Sequence, residues 1–355
     1  MALSERDVLD KLNTIPTPNG RQSLVEAGAV RRLEVDDAHV RLSLALEVSR
    51  PEAIEAIRTE VERQLRSIPG VQEANVQLQP VLPTLQGSGP APAPSEPTTW
   101  ADRIPGVKRV IAVASGKGGV GKSTVAANLA LALAREGRAV GLLDADIYGP
   151  SQQLMMGAEE PPTGDEQGRI HPVTVPGGVK VMSFGFIVDP DQPVIWRGPM
   201  LQKALEQFFG DVLWGELDDL IVDLPPGTGD VALTLCQNVP MAGAIIVTTP
   251  QDVALIDARK GLHMFRKLDV PVLGIVENMS FYECGECGHI EHIFGAGGGQ
   301  RTAEALDIPF LGSIPIDPDI VTGGDSGRPV VINRPDSAAG RAFERLARTL
   351  VTSSG

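Results

Sequence analysis

Cysteine is scarce in this chain of 355 residues, which contains only three. Three cysteines cannot all pair with one another. In a reducing compartment, the two-residue gap between Cys284 and Cys287 is more typical of a metal or redox site than of a structural disulfide. Cys236 lies in the apolar helical stretch VALTLCQNV and is predicted to be a buried core residue. A disulfide framework is therefore not expected.

Long apolar runs and an excess of positive charge are also absent. No stretch approaches the roughly 18 consecutive apolar residues that span a bilayer, and the N-terminus lacks the basic and apolar segments of a secretory signal. A net charge of −14 opposes diffuse binding to nucleic acid or to anionic lipid. With 42% hydrophobic residues, the chain has enough apolar material for a substantial core. We therefore expect a globular, cytoplasmic protein that binds neither nucleic acid nor a membrane.

The composition changes near residue 81 and divides the chain. Residues 81–103 are rich in Pro, Ala and Gly and are predicted to form a linker that does not pack. Residues 1–80 show the order helix, strand, strand, helix, strand, with alternating apolar residues in VRLSLALEV and helical spacing from Ile54 to Leu65. This order predicts a small α+β domain.

Residues 104–355 alternate short, β-branched apolar runs with helical stretches. Seven runs are predicted to be strands, namely RVIAVAS, AVGLLDAD, KVMSFGF, LIVDLP, AIIVTTP, VLGIVENMS and FLGSIPID. Strands that are continuously apolar and separated by helices indicate a mainly parallel sheet covered by helices on both faces. The fold class predicted is therefore α/β, with ligands bound beyond the carboxyl ends of the strands.

The first of these runs leads into GKGGVGKST, which fits the phosphate-loop pattern G-x-x-x-x-G-K-[ST]. Its glycines let backbone N–H groups point at phosphate oxygens, and the helix beginning near Lys122 adds its positive end. Lys122 supplies a charge to the terminal phosphates, and the Ser123 hydroxyl suits Mg²⁺. A glycine-rich turn without a ligand is the alternative. The predicted nucleotide-binding residues of the loop are Gly116, Gly118, Gly119, Val120, Gly121, Lys122, Ser123 and Thr124.

Acidic residues end two other predicted strands. Asp144 and Asp146 follow the second strand, and Asp223 follows the fourth in LIVDLPPGTGD. At such positions one carboxylate orients a water towards the γ-phosphate, while others support the Mg²⁺ shell. The alternative is that these aspartates are simply exposed at strand ends.

A second lysine, Lys117, directly follows the first glycine of the loop and has no role in an ordinary phosphate-binding loop. With it, the loop resembles the deviant Walker A group of P-loop NTPases, which form nucleotide-sandwich homodimers. This resemblance implies that Lys117 reaches the phosphates held by a partner copy. It also implies that Asp146 orients the attacking water and that Asn278, in ENMS, contacts adenine. Otherwise Lys117 is a solvated loop lysine.

The cysteine pair in FYECGECGH has the spacing of a chelating site, and the glycines beside it permit tight turns. A tetrahedral thiolate site needs four ligands, so Cys284 and Cys287 are incomplete alone. His289 and His292 would complete a one-chain zinc site, although the single residue between Cys287 and His289 is short for a zinc finger. Two chains that each donate the pair across a two-fold axis would supply four thiolates, for a [4Fe-4S] cluster or a zinc ion.

Six motifs occur in one order: SGKGGVGKST, LLDADIYGPS, WRGPM, DLPPGTGD, ENMS, and the cysteine pair followed by IFGAGGG. In this order they resemble the Mrp/Nbp35 (ApbC) family of ATP-binding iron-sulfur cluster carriers, and residues 1–80 resemble the MIP18-like domain. The resemblance implies a homodimeric ATPase of slow turnover that binds ATP and Mg²⁺. It would carry a bridging [4Fe-4S] cluster on Cys284 and Cys287 and exchange it with a cluster-assembly scaffold and apo iron-sulfur proteins.

Two other functions share parts of this pattern. A positioning ATPase of the ParA/MinD kind would use DNA binding or a basic amphipathic C-terminal helix. The final segment, AGRAFERLARTLVTSSG, is only weakly basic and is better explained as a helix packed on the core. A zinc-stapled dimeric ATPase acting as a scaffold or metallochaperone stays open, because four thiolates suit zinc and iron-sulfur clusters alike.

Overall fold

A computed structural model describes residues 5–17, 22–36, 38–47, 51–81, 104, 106–165, 167–187 and 198–352. Residues 82–103 of the predicted linker, and Trp196 and Arg197 of the WRGPM motif, lie outside the described residues. The chain forms two compact units. One comprises Met1–Pro90 with Thr163–His171, and the other comprises Ala91–Pro162 with Pro172–Gly355.

The N-terminal part of the first unit contains three strands and two helices in the predicted order. Its elements are α1 (Glu5–Leu12), β1 (Val30–Asp36), β2 (His39–Glu47), α2 (Pro51–Arg66) and β3 (Glu73–Val81). β2 lies at the centre of the sheet, antiparallel to β1 and parallel to β3. Alternate strand residues and one stripe of each helix form the core, because both repeat on one side. The core includes Val8, Leu12, Val40, Leu42, Leu44, Val61, Leu65 and Val76.

The second unit is built on a mainly parallel sheet of eight strands. They are β4 (Val110–Ser115), β5 (Val140–Asp144), β8 (Val173–Thr174), β9 (Lys180–Ser183), β10 (Asp219–Asp223), β11 (Gly243–Thr248), β12 (Val272–Glu277) and β15 (Phe310–Ser313). Their order is β15-β12-β11-β4-β10-β5-β9-β8, and only the β8–β9 pair is antiparallel. All seven predicted strands are present, which confirms the predicted α/β fold. β8 was not predicted, because two residues show no periodicity.

Helices and short hairpins complete the chain. The helices are α3 (Lys122–Arg135), α4 (Gln152–Met155), α5 (Gly198–Gly210), α6 (Asp230–Asn238), α7 (Asp252–Lys267), α8 (Gly298–Leu306), α9 (Pro318–Asp325), α10 (Val330–Asn333) and α11 (Ala338–Thr352). One hairpin pairs β6 (Thr163–Gly164) with β7 (Ile170–His171), and another pairs β13 (Tyr282–Glu283) with β14 (Ile290–Glu291). In the described part of the chain, no helix is both long and apolar enough to cross a bilayer.

The C-terminal helix α11 packs on the core, as predicted. Phe343, Leu346 and Leu350 are at most 3% exposed and belong to the main core of the second unit. Its apolar face is therefore covered by the protein itself and is not presented to a membrane.

The middle of the sheet places the polar strand ends side by side. Every residue of β4, β5 and β10 is buried, which accounts for their continuous apolar runs. β10 lies between the other two strands, with Asp223 paired in register with Asp144 on one side and with Val113 on the other. The carboxyl ends of these strands thus meet at one edge, where the loop before α3 also begins.

Candidate functional site

The loop between β4 and α3 requires glycine at specific points. Gly119 and Gly121 both have φ of +79°, in the left-handed region that side chains disfavour. A Cβ on Gly116 would lie 2.1 Å from the carbonyl carbon of Asp257 in α7. A Cβ on Gly121 would lie 2.2 Å from Nδ2 of Asn278. Since α3 begins directly after Gly121, the N–H groups of its first turn, which have no partner within a helix, adjoin this loop.

Lys122 is the centre of a buried group of polar side chains. Its Nζ lies 2.5 Å from Oδ1 of Asp223, 3.2 Å from Oγ of Ser123 and 3.7 Å from Oδ2 of Asp146. The side chain of Lys122 is 6% exposed and that of Asp223 is 0% exposed. The structure therefore brings together three residues that the sequence predicts for phosphate and Mg²⁺ binding, and Asp146, which it predicts to orient the attacking water.

Asp144 is held rigidly next to this group. Its carboxylate accepts hydrogen bonds from the backbone N–H groups of Asp146 (3.1 Å), Ser151 (2.9 Å) and Gln152 (3.0 Å) and from the Ser183 hydroxyl (2.9 Å). Burial, reinforced by the charge of Asp223, raises the pKa of Asp144 to about 7 even though these hydrogen bonds oppose the shift. A bound divalent cation would favour the ionised form, so this carboxylate suits a metal shell.

Two further charged residues predicted for the site are Asp146, which is 8% exposed, and Lys117, which is half-buried. Burial raises the pKa of Asp146 above its usual value, although the charge of Lys122 opposes this. Asp146 also lines a cleft of about 720 Å³ together with Tyr148 and Pro226. Among the described residues, Lys117 forms no ion pair, and its backbone carbonyl accepts a hydrogen bond from the Ser115 hydroxyl (2.9 Å). Its charge is therefore available to a ligand.

A second pocket, of about 400 Å³, adjoins the end of the phosphate loop. Asn278 is buried in its wall and donates from Nδ2 to the Val120 carbonyl at 2.9 Å. The lining is mostly apolar with few polar groups, which suits a planar base. Its residues include Gly121, Thr124, Asn278, Met279, Pro315, Ile316 and Asp317.

Several residues of the site were missed from the sequence. Pro315, Ile316 and Asp317 follow Ile314 just beyond the end of β15, and Ser183 is the last residue of β9. Their positions at the carboxyl ends of parallel strands were the available signal. Gln152, the first residue of α4, carried no such signal, because nothing in the sequence shows which side chains it reaches.

The hairpin of β13 and β14 presents the cysteine pair. The N–H of Cys284 donates to the His289 carbonyl (2.9 Å), and the N–H of Gly288 donates to the Cys284 carbonyl (2.8 Å). Cys284 is half-buried and Cys287 is exposed. Hydrogen bonds from the backbone N–H groups of Cys287 and Glu286 lower the pKa of the Cys284 thiol. The thiolate needed for binding a metal is thus favoured.

No group of three or more His, Cys, Asp or Glu side chains suited to one metal ion is found among the described residues. The hairpin therefore does not assemble the one-chain zinc site in which His289 and His292 would join the cysteines. Instead, Nδ1 of His292 lies 3.2 Å from the Ser280 carbonyl. Cys236 is buried in α6, as predicted, and burial raises the pKa of its thiol to about 11.

Comparisons with known proteins agree with this geometry. Residues 106–351 match the family described as NUBPL iron-transfer P-loop NTPase, and residues 5–78 match the iron-sulfur cluster assembly protein family. An iron-sulfur cluster carrier protein of Synechocystis sp. is 44% identical over 353 residues, covering 97% of this chain and 96% of that protein. The predicted resemblance to cluster carriers is thereby confirmed.

Solved structures show the same fold. The nucleotide-binding protein from Archaeoglobus fulgidus in complex with ADP is 39% identical, with a TM-score of 0.59 over 68% of this chain and 94% of that chain. The septum site-determining protein MinD from Pyrococcus horikoshii, complexed with Mg-ADP, is 26% identical, with a TM-score of 0.53 over 70% of this chain and 97% of that chain. From its matched residues and its buried phosphate-loop site, this chain belongs to the family of NUBPL-type iron-transfer P-loop NTPases.

Proposed function

We propose that this protein is a homodimeric ATPase that carries a [4Fe-4S] cluster between two copies of the chain and delivers it to apo-proteins. The observation that supports this most directly is the cysteine hairpin. Cys284 and Cys287 lie at its tip, one of them exposed, and they follow Asn278 of the base pocket by only a few residues. The name of the Synechocystis relative, an iron-sulfur cluster carrier protein, points the same way.

The number of ligands supports a shared cluster. A [4Fe-4S] cluster takes four cysteine thiolates, and the hairpin offers two. The third cysteine, Cys236, is 8% exposed, and its thiol has a raised pKa, so it is a poor ligand. A two-fold axis through the hairpin region would bring two pairs together and leave the cluster near the surface, where an apo-protein can take it.

The hairpin is joined to the wall of the base pocket, which supports a link between nucleotide and cargo. The N–H of Ile316 donates to the Phe281 carbonyl (2.7 Å), and the N–H of Ser280 donates to the Ile314 carbonyl (3.0 Å). Tyr282 of β13 forms a parallel bridge with Ile316, which lines the pocket. A nucleotide that shifts this segment would shift the cysteines with it, and two copies would then change the distance between their pairs.

The remaining polar residues take the roles of a phosphoryl-transfer site. Lys122 would bind the terminal phosphates, while Ser123, Asp144 and Asp223 would hold Mg²⁺, which neutralises charge on the phosphate oxygens. Asp146 is at the open cleft, where it would orient the attacking water. Lys117 would reach the phosphates of the partner copy. Completion of each site by a second chain is consistent with slow turnover.

Metal analysis after anaerobic reconstitution tests the cargo. Iron, acid-labile sulfide and zinc are measured per dimer in the wild type, in a Cys284→Ser, Cys287→Ser double variant, and in a Cys236→Ser control. About four iron and four sulfide per dimer are expected for one [4Fe-4S] cluster, lost in the double variant and kept in the control. Stoichiometric zinc without a stable cluster would instead favour the zinc-stapled scaffold and would remove the carrier function.

Lysine variants test the dimeric ATPase. Lys122→Ala is expected to abolish nucleotide binding or turnover, because it removes the charge inside the loop. Lys117→Ala is expected to retain much of the binding and to lose the turnover that depends on dimer formation. Equal ATPase activity in the wild type and Lys117→Ala would remove the role of Lys117 in the partner's site. ATP-dependent sedimentation with liposomes or DNA would support a positioning ATPase of the ParA/MinD kind.

A further inference from the structure

Gln152 connects the three segments that carry the proposed Mg²⁺ ligands. It is the first residue of α4 and is 0% exposed. Its Nε2 donates to Oδ2 of Asp223 at 2.8 Å and to the backbone carbonyl of Ser123 at 3.0 Å. Its backbone N–H donates to Asp144 at 3.0 Å. The phosphate loop and the ends of β5 and β10 are therefore joined through one residue.

The neighbours of Gln152 fix the orientation of its amide group. The Asp223 carboxylate and the Ser123 carbonyl only accept hydrogen bonds, so the group that faces them is the NH₂. The other amide atom, Oε1, is buried and has no hydrogen-bond partner within the described part of the chain. A buried acceptor without a partner is rare in folded proteins, because it loses its hydrogen bonds to water. Such an acceptor beside Ser123 and Asp223 is suited to a water molecule held by Mg²⁺.

We propose that Gln152 is a positioning residue for the Mg²⁺ of the bound nucleotide. Its NH₂ group holds one oxygen of Asp223 against the phosphate loop, while Lys122 holds the other oxygen at 2.5 Å. The carboxylate is thereby kept from rotating, and Oε1 accepts a hydrogen bond from a water of the metal shell. This role rests on the proposed ATPase function and adds a residue to which the sequence motifs assign no chemistry.

The test separates nucleotide affinity from metal affinity. A fluorescent ADP analogue is titrated onto the full-length protein in EDTA and then at increasing Mg²⁺, with thermal unfolding as a check on folding. In Gln152→Met, a side chain of similar size without the amide, metal-free affinity is expected to change less than about twofold. The half-effect concentration of Mg²⁺, at which half of the Mg²⁺-dependent change in analogue affinity has occurred, is expected to rise at least about tenfold. This corresponds to the loss of one hydrogen bond to a charged group.

A second variant, Gln152→Glu, is expected to change the Mg²⁺ requirement in the opposite direction. Gln152→Glu keeps an acceptor and adds a negative charge near Asp144 and Asp223, so the half-effect concentration of Mg²⁺ is expected to fall, while metal-free stability falls as well. A residue that only held the loop in place would change the Mg²⁺ requirement in the same direction in both variants. Gln300→Met is the matched control, because Gln300 is exposed on α8 and donates a hydrogen bond to the exposed Glu304 at 3.0 Å.

Four results would overturn the proposal. The first is a folded Gln152→Met protein with an unchanged Mg²⁺ requirement, and the second is an equal loss of affinity in EDTA and in Mg²⁺. The third result applies if Gln152→Met does not fold. Gln152→Glu then decides alone, and an unchanged or raised Mg²⁺ requirement in that variant overturns the proposal. The fourth is a wild type that binds the analogue equally with and without Mg²⁺, whereas a wild type that does not bind the analogue at all would overturn the nucleotide step of the proposed function and is recognised without any variant.

Discussion

The buried pair of Lys122 and Asp223 predicts a large, measurable coupling in stability. The two side chains are 6% and 0% exposed, and Nζ lies 2.5 Å from Oδ1. Removing one partner of a buried ion pair leaves a charge that neither water nor a counterion compensates, at a cost of about 3–5 kcal/mol. Lys122→Met does this, because among the described residues the Asp223 carboxylate then retains only the uncharged side-chain donor of Gln152.

The reverse substitution is expected to cost less. After Asp223→Asn, the Lys122 ammonium still has Asp146 at 3.7 Å, so its charge is not left without a partner. In the double variant Lys122→Met, Asp223→Asn, no unpaired charge remains at these two positions. Its destabilisation is therefore expected to fall below the sum of the two single effects by about 2–3 kcal/mol, within the range measured for contacting residues.

Tryptophan fluorescence during urea unfolding is a suitable assay. Trp214 belongs to the second unit and is 2% exposed. Its emission thus reports on the unit that contains the pair. If the same fluorescence is followed during heating, the expected loss of unfolding free energy in Lys122→Met corresponds, for a unit of this size, to a fall in midpoint temperature of roughly 6–20 °C.

The coupling must be distinguished from a general weakening of the loop. Because the pair is buried, its coupling is expected to change little between low and high salt, unlike that of an exposed ion pair. Single effects that add to within about 0.5 kcal/mol would refute the reasoning. So would a Lys122→Met protein as stable as the wild type.

Three further predictions concern other parts of the second unit. In a thiol titration at pH 8, the two hairpin cysteines should react rapidly, in the case of Cys284 because its thiol pKa is lowered. Cys236 should react only after unfolding, because burial raises the pKa of its thiol to about 11. Three thiols that react equally fast would contradict this. Gly121→Ala should lower the free energy of unfolding by about 1–3 kcal/mol from its φ of +79° alone. It should also weaken ADP binding, since the added Cβ would lie 2.2 Å from the amide nitrogen of Asn278. An unchanged ADP affinity in calorimetry would count against so close an approach of Asn278 to the loop. Phe343→Ala should lower the free energy of unfolding by about 3–5 kcal/mol, because this side chain is 0% exposed in the core. The variant should not bind liposomes. A change in the free energy of unfolding below about 1 kcal/mol would place α11 outside the core.

Sequence reasoning succeeded where local chemistry demands a particular residue. A run that is buried on both faces must be apolar throughout, so β4, β5 and β10 were recognisable without any knowledge of their neighbours. The phosphate loop was recognisable because its backbone enters the left-handed region at Gly119 and Gly121. Such constraints act over a few residues and leave a fixed spacing in the chain.

The same reasoning missed side chains that reach across the fold. Gln152 contacts Asp223, which is 71 positions away, and Ser183 contacts Asp144, which is 39 positions away. Neither spacing is set by a turn or a helix, because it depends on the order of strands in the sheet. β5 lies between β9 and β10, so residues from three separate segments surround one carboxylate. No pattern within one segment predicts this arrangement.

The link between the base pocket and the cysteine hairpin is of the same kind, and it determines how the two proposed activities depend on each other. Ile316 lines the pocket and is bonded to Phe281 and Tyr282 at the base of the hairpin. These contacts are backbone hydrogen bonds, so they do not depend on which side chains occupy the positions. Since the pocket and the hairpin share one short ladder of backbone bonds, a base that displaces Ile316 must either move the hairpin or break those bonds. Coupling of nucleotide to cargo therefore requires no further element between the two sites.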